Sequence, residues 1–386
     1  MRLFVGKGGT GRTTMAAATA VALAAAGRRV LLASLDQAHA LSDVLGRPVG
    51  RGTETRIRDG LDAVEIDTLT LLEQRYRGLV AFLAVAGTHD HGAQFTDLAP
   101  EELTGLPGVE DLLGLGEIAR YAAAGRWDVV VVDCPPTADA LRALAIPETV
   151  TGYVERVWPQ HRRITAATSA DPRTAFAVAM LDRAVDSAAA VAALLADRSR
   201  TALRVVSTPG RVAAAETRRV LSAAALAGLR VDAMIVNRIL PHPDSVSDVV
   251  DVATPVLVAE CAETEPTGWD ALAAVAATVY TEPGGAPVDP ADPAGAAGAE
   301  PAVRVVRESG SGDLESVYTM RMHLPLVDPG TLTLGRVEDD VLVGADGRRR
   351  RVRLASVLRR CTVAGADFDG TDLVVRFVPD PAVWPR

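Results

Sequence analysis

The sequence predicts an α/β protein with a mostly parallel sheet and helical insertions, followed by a small all-β sandwich. Three observations lead there. A glycine-rich loop lies between a strand-like run, Leu3-Phe4-Val5, and an Ala-rich helical run at residues 14–26. Trp127-Asp-Val-Val-Val-Val-Asp133 is a continuous β-branched run, as expected for a strand covered on both faces of a parallel sheet. After Val303 the texture changes to short β runs separated by turn signals such as Asp328-Pro-Gly330 and Ala345-Asp-Gly347.

In chain order, residues 30–36 read as a second buried strand ending in polar residues, and 37–46 as a loop with a short helix. Residues 60–67 read as a further strand. Helical periodicity dominates from 69 to about 125, with breaks at 87–92 and 106–108. The strand at 127–133 is broken by Cys134-Pro-Pro-Thr137, and a helix restarts at 138–144. Residues 148–200 look mostly helical. Strands at 203–207 and 234–237 flank a helix at 216–227. Residues 282–302, rich in Pro, Gly, Ala and Asp without periodicity, read as a flexible linker. The β runs expected beyond it are 317–324, 331–337, 341–343, 351–354, 363–368 and 372–377. The domains are thus 1–281, the linker, and a β-sandwich at 303–386.

Composition narrows the function. The 386 residues are 48% hydrophobic but only 4% aromatic, so Ala and Val must fill the core. A net charge of −9 disfavours bulk binding to nucleic acid or to an anionic membrane. Cys134, Cys261 and Cys361 form no C-x-x-C pair, which argues against a disulfide framework and fits a reducing cytoplasm. No apolar run approaches the ~20 residues of a spanning helix. Basic residues 2, 7 and 12 before an apolar stretch imitate a signal peptide. The loop glycines and the strand following Gly27 favour a βαβ unit instead.

The opening loop carries the chemistry. Gly6 to Thr13 reads G-x-x-x-x-G-R-T, one residue from the phosphate-binding loop G-x-x-x-x-G-K-[ST]. Gly8, Gly9, Thr10 and Gly11 let backbone N–H groups turn toward phosphate oxygens, with the helix N-terminus behind them. Thr13 would place its hydroxyl on Mg²⁺, and Thr14 is either a ligand or a first-turn helix residue. Arg12 stands where lysine is usual; it keeps the charge but brings a wider, planar fork. Asp36, at a strand's C-terminal end, is placed to orient an attacking water, or to cap a helix or turn. Asp133 is placed like a Walker-B acid that holds Mg²⁺, or as a strand-terminal acid facing solvent. Asn237 offers a donor and an acceptor suited to adenine, or forms a turn. His39 and Asp43 are weaker candidates.

Taken together, Lys7-Gly-Gly-Thr-Gly-Arg-Thr-Thr14 resembles the K-G-G-x-G-K-T-T loop of the deviant-Walker ATPases. That family includes the arsenite-pump ATPase ArsA and the targeting ATPases for tail-anchored membrane proteins. Ser34-Leu-Asp-Gln-Ala-His-Ala-Leu-Ser-Asp43 resembles its switch I, with Gln37 in place of proline. Asp133-Cys-Pro-Pro-Thr-Ala-Asp-Ala-Leu-Arg142 resembles switch II, with Ala138 and Asp139 in place of glycine and histidine. Ile235-Val-Asn-Arg-Ile-Leu-Pro241 resembles the adenine-reading V-N-Q-x-L segment. The tail, through Leu354-Ala-Ser-Val-Leu358 and the run from Val363 to Phe377, is similar to a small-heat-shock-like (α-crystallin-type) domain.

The resemblance implies a P-loop NTPase fold, ATP and Mg²⁺ as ligands, and a homodimer in which Lys7 reaches the partner's nucleotide. It implies catalytic roles for Asp36, Lys7 and Arg12, and nucleotide contacts from Gly6 to Thr14 and from Asn237. The helical segments 69–125 and 148–200 would serve a hydrophobic client, a membrane partner or an anion pump. The expectation is a cytoplasmic Mg-ATPase that is not itself transmembrane. The alternative is a nucleotide-binding scaffold or chaperone-like protein with little turnover, as Arg12, Ala138 and Asp139 suggest. The Arg348-Arg-Arg-Arg351 run reads as a basic patch or as a solvated hairpin flank.

Overall fold

The computed structural model describes residues 1–85, 99–168, 172–239, 254–282, 284–295 and 297–384. The helix break expected at 87–92, the end of the 235–241 segment, and positions 283 and 296 of the expected linker lie outside the described residues. The chain divides into two units, Met1–Arg200 with Ala262–Ala291, and Thr201–Cys261 with Asp292–Arg386.

The first unit is α/β. It begins β1 (Arg2–Gly6), α1 (Arg12–Ala25), β2 (Val30–Ser34), α2 (Leu41–Leu45), β3 (Thr55–Arg58), β4 (Leu61–Glu65) and α3 (Thr68–Val85). It continues α4 (Val109–Ala123), β5 (Val129–Asp133), α5 (Thr137–Val157), α6 (Gln160–Ala167) and α7 (Pro172–Ala196). The strands β1 and β2 are buried along their whole length, with the apolar runs Leu3–Val5 and Val30–Ala33 at their centres. The parallel order is β4-β2-β5-β1, with β3 antiparallel on β4. The chain therefore crosses from β1 to β2 and later fills the gap with β5. Such a reversal opens a crevice at the C-terminal strand ends, where ligands of α/β sheets bind. Register places Asp133 opposite Ser34 on β2 and Phe4 on β1.

At the other end of the same strands, Arg29 fixes the start of β5. Its backbone N–H donates to Asp128 at 2.9 Å and its Nη2 at 2.6 Å. The Arg29 side-chain bonds, then its backbone N–H, pull the Asp128 carboxyl down from 3.8 to about 2. A depressed carboxyl stabilises the fold above its unfolded value and loses that contribution as pH falls. An NMR titration should place the Asp128 midpoint near 2, and Asp128→Asn should remove the stability change between pH 4 and ~2 that this group contributes.

The second unit opens with β6 (Ala202–Ser207), α8 (Arg211–Leu226), β7 (Val231–Ile239) and β8 (Val256–Glu260). The three strands are parallel, in the order β6-β7-β8. The chain then returns to the first unit for α9 (Gly268–Val279), which packs against α1. There Thr19 and Tyr280 hydroxyls meet at 2.6 Å. The strands β3 and β8 and the helix α9 were not expected from the sequence. β3 is a four-residue strand with two arginines, and α9 is an Ala-rich stretch with little polar contrast between its faces.

The rest of the second unit is β9 (Val303–Ser309), β10 (Val317–His323), β11 (Thr333–Val337), β12 (Asp340–Ala345), β13 (Arg348–Arg353), β14 (Cys361–Phe368) and β15 (Asp372–Pro379). These form two antiparallel sheets, β14-β15-β10-β9 and β11-β12-β13. Alternate residues Met320, Met322, Val375 and Phe377 fill the core between turns. Leu226 of α8 enters that same core. Around it Ser222 Oγ donates to Asp346 Oδ2 at 2.7 Å, and Arg350 Nη1 donates to the Leu226 carbonyl at 3.2 Å. A cation on the last carbonyls of a helix is favourable there.

The four-arginine run is thus divided within its strand. Arg348 and Arg349 are exposed, Arg350 caps α8, and Arg351 pairs with Asp340 at 2.9 Å. The stretch expected as a flexible linker is held at several points. The buried Arg230 donates to Asp292 Oδ1 at 2.9 Å and to the Ala297 carbonyl at 3.1 Å. Leu226→Ala should cost about 2–5 kcal/mol by leaving a cavity in this core. Faster amide exchange in β10 and β15, with β1 and β5 unchanged, would show it.

Candidate functional site

The glycine loop joins β1 to α1 in the first unit. Gly9 and Gly11 have φ of +83° and +84°, a left-handed backbone that glycine adopts without the cost other residues meet. Thr10 closes the turn: its N–H and Oγ1 both donate to the Lys7 carbonyl, at 3.3 and 2.8 Å. Lys7, Gly8 and Gly9 are exposed, and a Cβ added at Gly8 or Gly9 would meet nothing within 4 Å. Gly11 is the N-cap of α1, with no side chain capping it and no acidic residue in the first turn. An open loop with an uncapped helix N-terminus behind it fits the phosphates of a nucleotide.

Beneath the loop five polar side chains meet. Arg12, only 6% exposed, donates from Nε to Asp133 Oδ1 at 2.8 Å and from Nη1 to the Gly6 carbonyl at 3.2 Å. Its Nη2 donates to Asp36 Oδ2. Thr13 Oγ1 donates to the other Asp133 oxygen at 2.8 Å, and Ser34 Oγ lies 3.4 Å from that oxygen. Ser34 also accepts the Asp36 N–H at 3.1 Å, so one hydroxyl links the two acids. Ser34 lies in the stretch that resembles switch I, and the resemblance assigns it no role. Its polar type at the end of an apolar strand was the available signal.

Burial pushes the Asp133 carboxyl up from its ordinary value, with Arg12 and Thr13 pulling the other way. Burial would lower the Arg12 pKa, but the charge and hydrogen bond of Asp133, then the charge of Asp36, raise it by more. Burial, then Asp133, pushes the Cys134 thiol up as well, leaving it a poor nucleophile.

The expected site residues therefore fall into two groups. Gly6 to Thr14, Asp36 and Asp133 are together in the first unit. Asn237 belongs to the second unit, buried near the end of β7, where its Oδ1 accepts the Arg238 N–H at 2.8 Å. Asp36 is also a turn former, since its Oδ1 accepts the Ala38 N–H at 3.0 Å. Asp139 is exposed and pairs with Arg142 at 3.1 Å, so its charge is answered within its own helix. Thr13 and Asp133, the expected magnesium ligands, do come together. Both Asp133 oxygens are already engaged, one by a guanidinium, so as arranged the pair does not fit a divalent ion.

Switch I is tied further out. His39 has φ +50°, with its Nδ1 3.6 Å from the buried Glu65. Gln37, where the resemblance has proline, donates to Thr68 Oγ1 at 3.2 Å. Thr68 donates to Glu110 Oε2 at 3.1 Å, and Glu110 Oε1 accepts the Leu106 N–H at 2.6 Å.

The profile of the anion-transporting ATPases matches residues 1–252, and that of the HSP20-like domain found in ArsA matches 315–377. The chain belongs to the anion-transporting ATPase family. Protein Rv2184c of Mycobacterium tuberculosis is 44% identical, over 99% of this chain and 97% of that protein. The "Putative arsenical pump-driving ATPase" of Chlorobaculum tepidum is 27% identical, over 91% of this chain and 89% of its own. ATPase GET3 of Mycosarcoma maydis is 31% identical over 38% of this chain and 42% of its own. The family is one of ATPases, so the α/β class with a C-terminal HSP20-like β domain and the glycine loop have a common reading. No described helix is long and apolar enough to cross a membrane.

Proposed function

We propose that this chain binds ATP on the Gly6-to-Thr14 loop and uses Asp36 to orient the attacking water. The observation that carries the reading is the Arg12–Asp133–Thr13–Asp36 cluster lying directly under an open glycine loop. Lys7 and Arg12 supply positive charge for the oxygens on which negative charge develops. Asp36 can orient water only after Arg12 leaves its carboxylate, which sets a slow turnover. A divalent metal has the same requirement at Asp133.

The proposed working form is a cytoplasmic homodimer, with the exposed Lys7 reaching the partner's nucleotide. Nucleotide state would be coupled to a hydrophobic client, a membrane partner or an anion pump. Tyr153 and Val157, one turn apart on α5, are 65% and 79% exposed, and Ile164 on α6 is 58% exposed. Apolar side chains so placed suit an apolar partner.

A second reading, a nucleotide-binding scaffold without useful turnover, is favoured by Arg12 holding both carboxylates. Single-turnover hydrolysis by wild type and Asp36→Asn, alongside nucleotide affinity, separates the two. The ATPase reading expects Asp36→Asn to keep its affinity and to lose about 10²-fold or more in rate, the usual scale for a water-positioning group. Equal, near-background rates with tight binding establish the scaffold. No binding overturns both.

A further inference from the structure

We propose that Arg12 is the resident cation of this site. Its guanidinium takes the position beside Asp133 that a divalent metal takes in other phosphate-binding loops, so nucleotide binding here does not depend on magnesium. The inference rests on the nucleotide reading above and specifies which cation serves that site.

Three features carry it. The first is valence. Asp133 is 1% exposed and Asp36 19% on its side chain, and the Arg12 guanidinium pairs with both. An ion brought to Asp133 would meet the guanidinium at hydrogen-bond distance, and the two would repel at short range in a buried setting. The second is saturation. Asp133 Oδ1 is taken by Arg12 Nε, and Oδ2 by Thr13 Oγ1 with Ser34 Oγ nearby. The Thr13 hydroxyl already spends its proton on that acid, which leaves its own lone pairs as all it could offer an ion.

The third is shape. Nε, Nη1 and Nη2 of the guanidinium reach three separate acceptors, Asp133, the Gly6 carbonyl and Asp36. Only a planar fork spans them together; an ammonium is a point charge. Arg12 is also the first residue of α1, directly after the N-cap Gly11. It therefore stands within the helix N-terminus that faces phosphate while holding the acids behind it. Lysine at this place would release at least one carboxylate, and Asp133 with Thr13 would become open to a metal.

The test measures ATP and ADP affinity by calorimetry in EDTA and in excess Mg²⁺, for wild type and Arg12→Lys. Wild type should show affinities within about threefold of each other in the two buffers, and Arg12→Lys should bind about tenfold or more tightly with Mg²⁺. A companion readout is the thermal midpoint without nucleotide, where Mg²⁺ should raise Arg12→Lys and leave wild type unmoved. If wild type itself binds nucleotide about tenfold more tightly with Mg²⁺, the inference is overturned while the nucleotide reading stands. That comparison needs no variant, so it decides the matter even when Arg12→Lys fails to fold. Wild type binding neither nucleotide in either buffer overturns the reading and the inference together.

Discussion

Arg12→Ala should destabilise the first unit by about 3–5 kcal/mol, the range for removing one partner of a buried ion pair. The loss is large because Asp133, 1% exposed, loses its cation and must either hold a buried charge against Thr13 and Ser34 or take up a proton. The partial exposure of Asp36 places the expected value toward the lower end. Adding Asp133→Asn to Arg12→Ala should recover part of it, since the orphaned charge is then gone. Denaturant midpoints of wild type, the two single variants and the double variant form the cycle that reads this coupling. A double variant no more stable than Arg12→Ala would mean that the guanidinium acts by packing rather than by charge.

The second large effect lies in the other unit. Arg204 on β6 and Asp232 on β7 are both 0% exposed and meet in two bonds, Nε to Oδ1 at 3.1 Å and Nη2 to Oδ2 at 2.7 Å. Asp232→Ala should cost about 3–5 kcal/mol by removing the carboxylate from a buried guanidinium. The paired change Arg204→Met with Asp232→Leu should be neutral, or stabilising by about 1–4 kcal/mol, because two desolvated charges are replaced by apolar volume. Thermal unfolding of the three variants checks the order. If the paired change is as damaging as the single one, the pair is needed for the register of β6 on β7.

These two clusters mark where the sequence stops being informative. The glycine loop, the strands ending at Ser34 and Asp133, and the alternating β runs of the tail announce themselves through local pattern, because each is a contiguous stretch with one period. Fold class and the gathering of Gly6–Thr14, Asp36 and Asp133 follow from that pattern plus the crossover of a βαβ unit. The direction in which Arg12 points does not. It depends on β5 entering between β1 and β2, which sets Asp133 level with Ser34. The same limit hid Arg204 and Asp232, 28 positions apart and joined only by strand register. The β3 and β8 strands are too short to show a period, and α9 is too uniform.

Leu226 sits on a helix made early, yet the residues that cover it, such as Met320 and Phe377, leave the ribosome much later. At ordinary elongation speeds that interval is roughly ten seconds or more, long compared with helix formation. During it α8 has an apolar face without its partners, and β6 and β7 belong to a unit whose other half has yet to be made. A premature stop before β15 would remove Leu373, Val375 and Phe377 from that core, so α8 would keep only part of its cover.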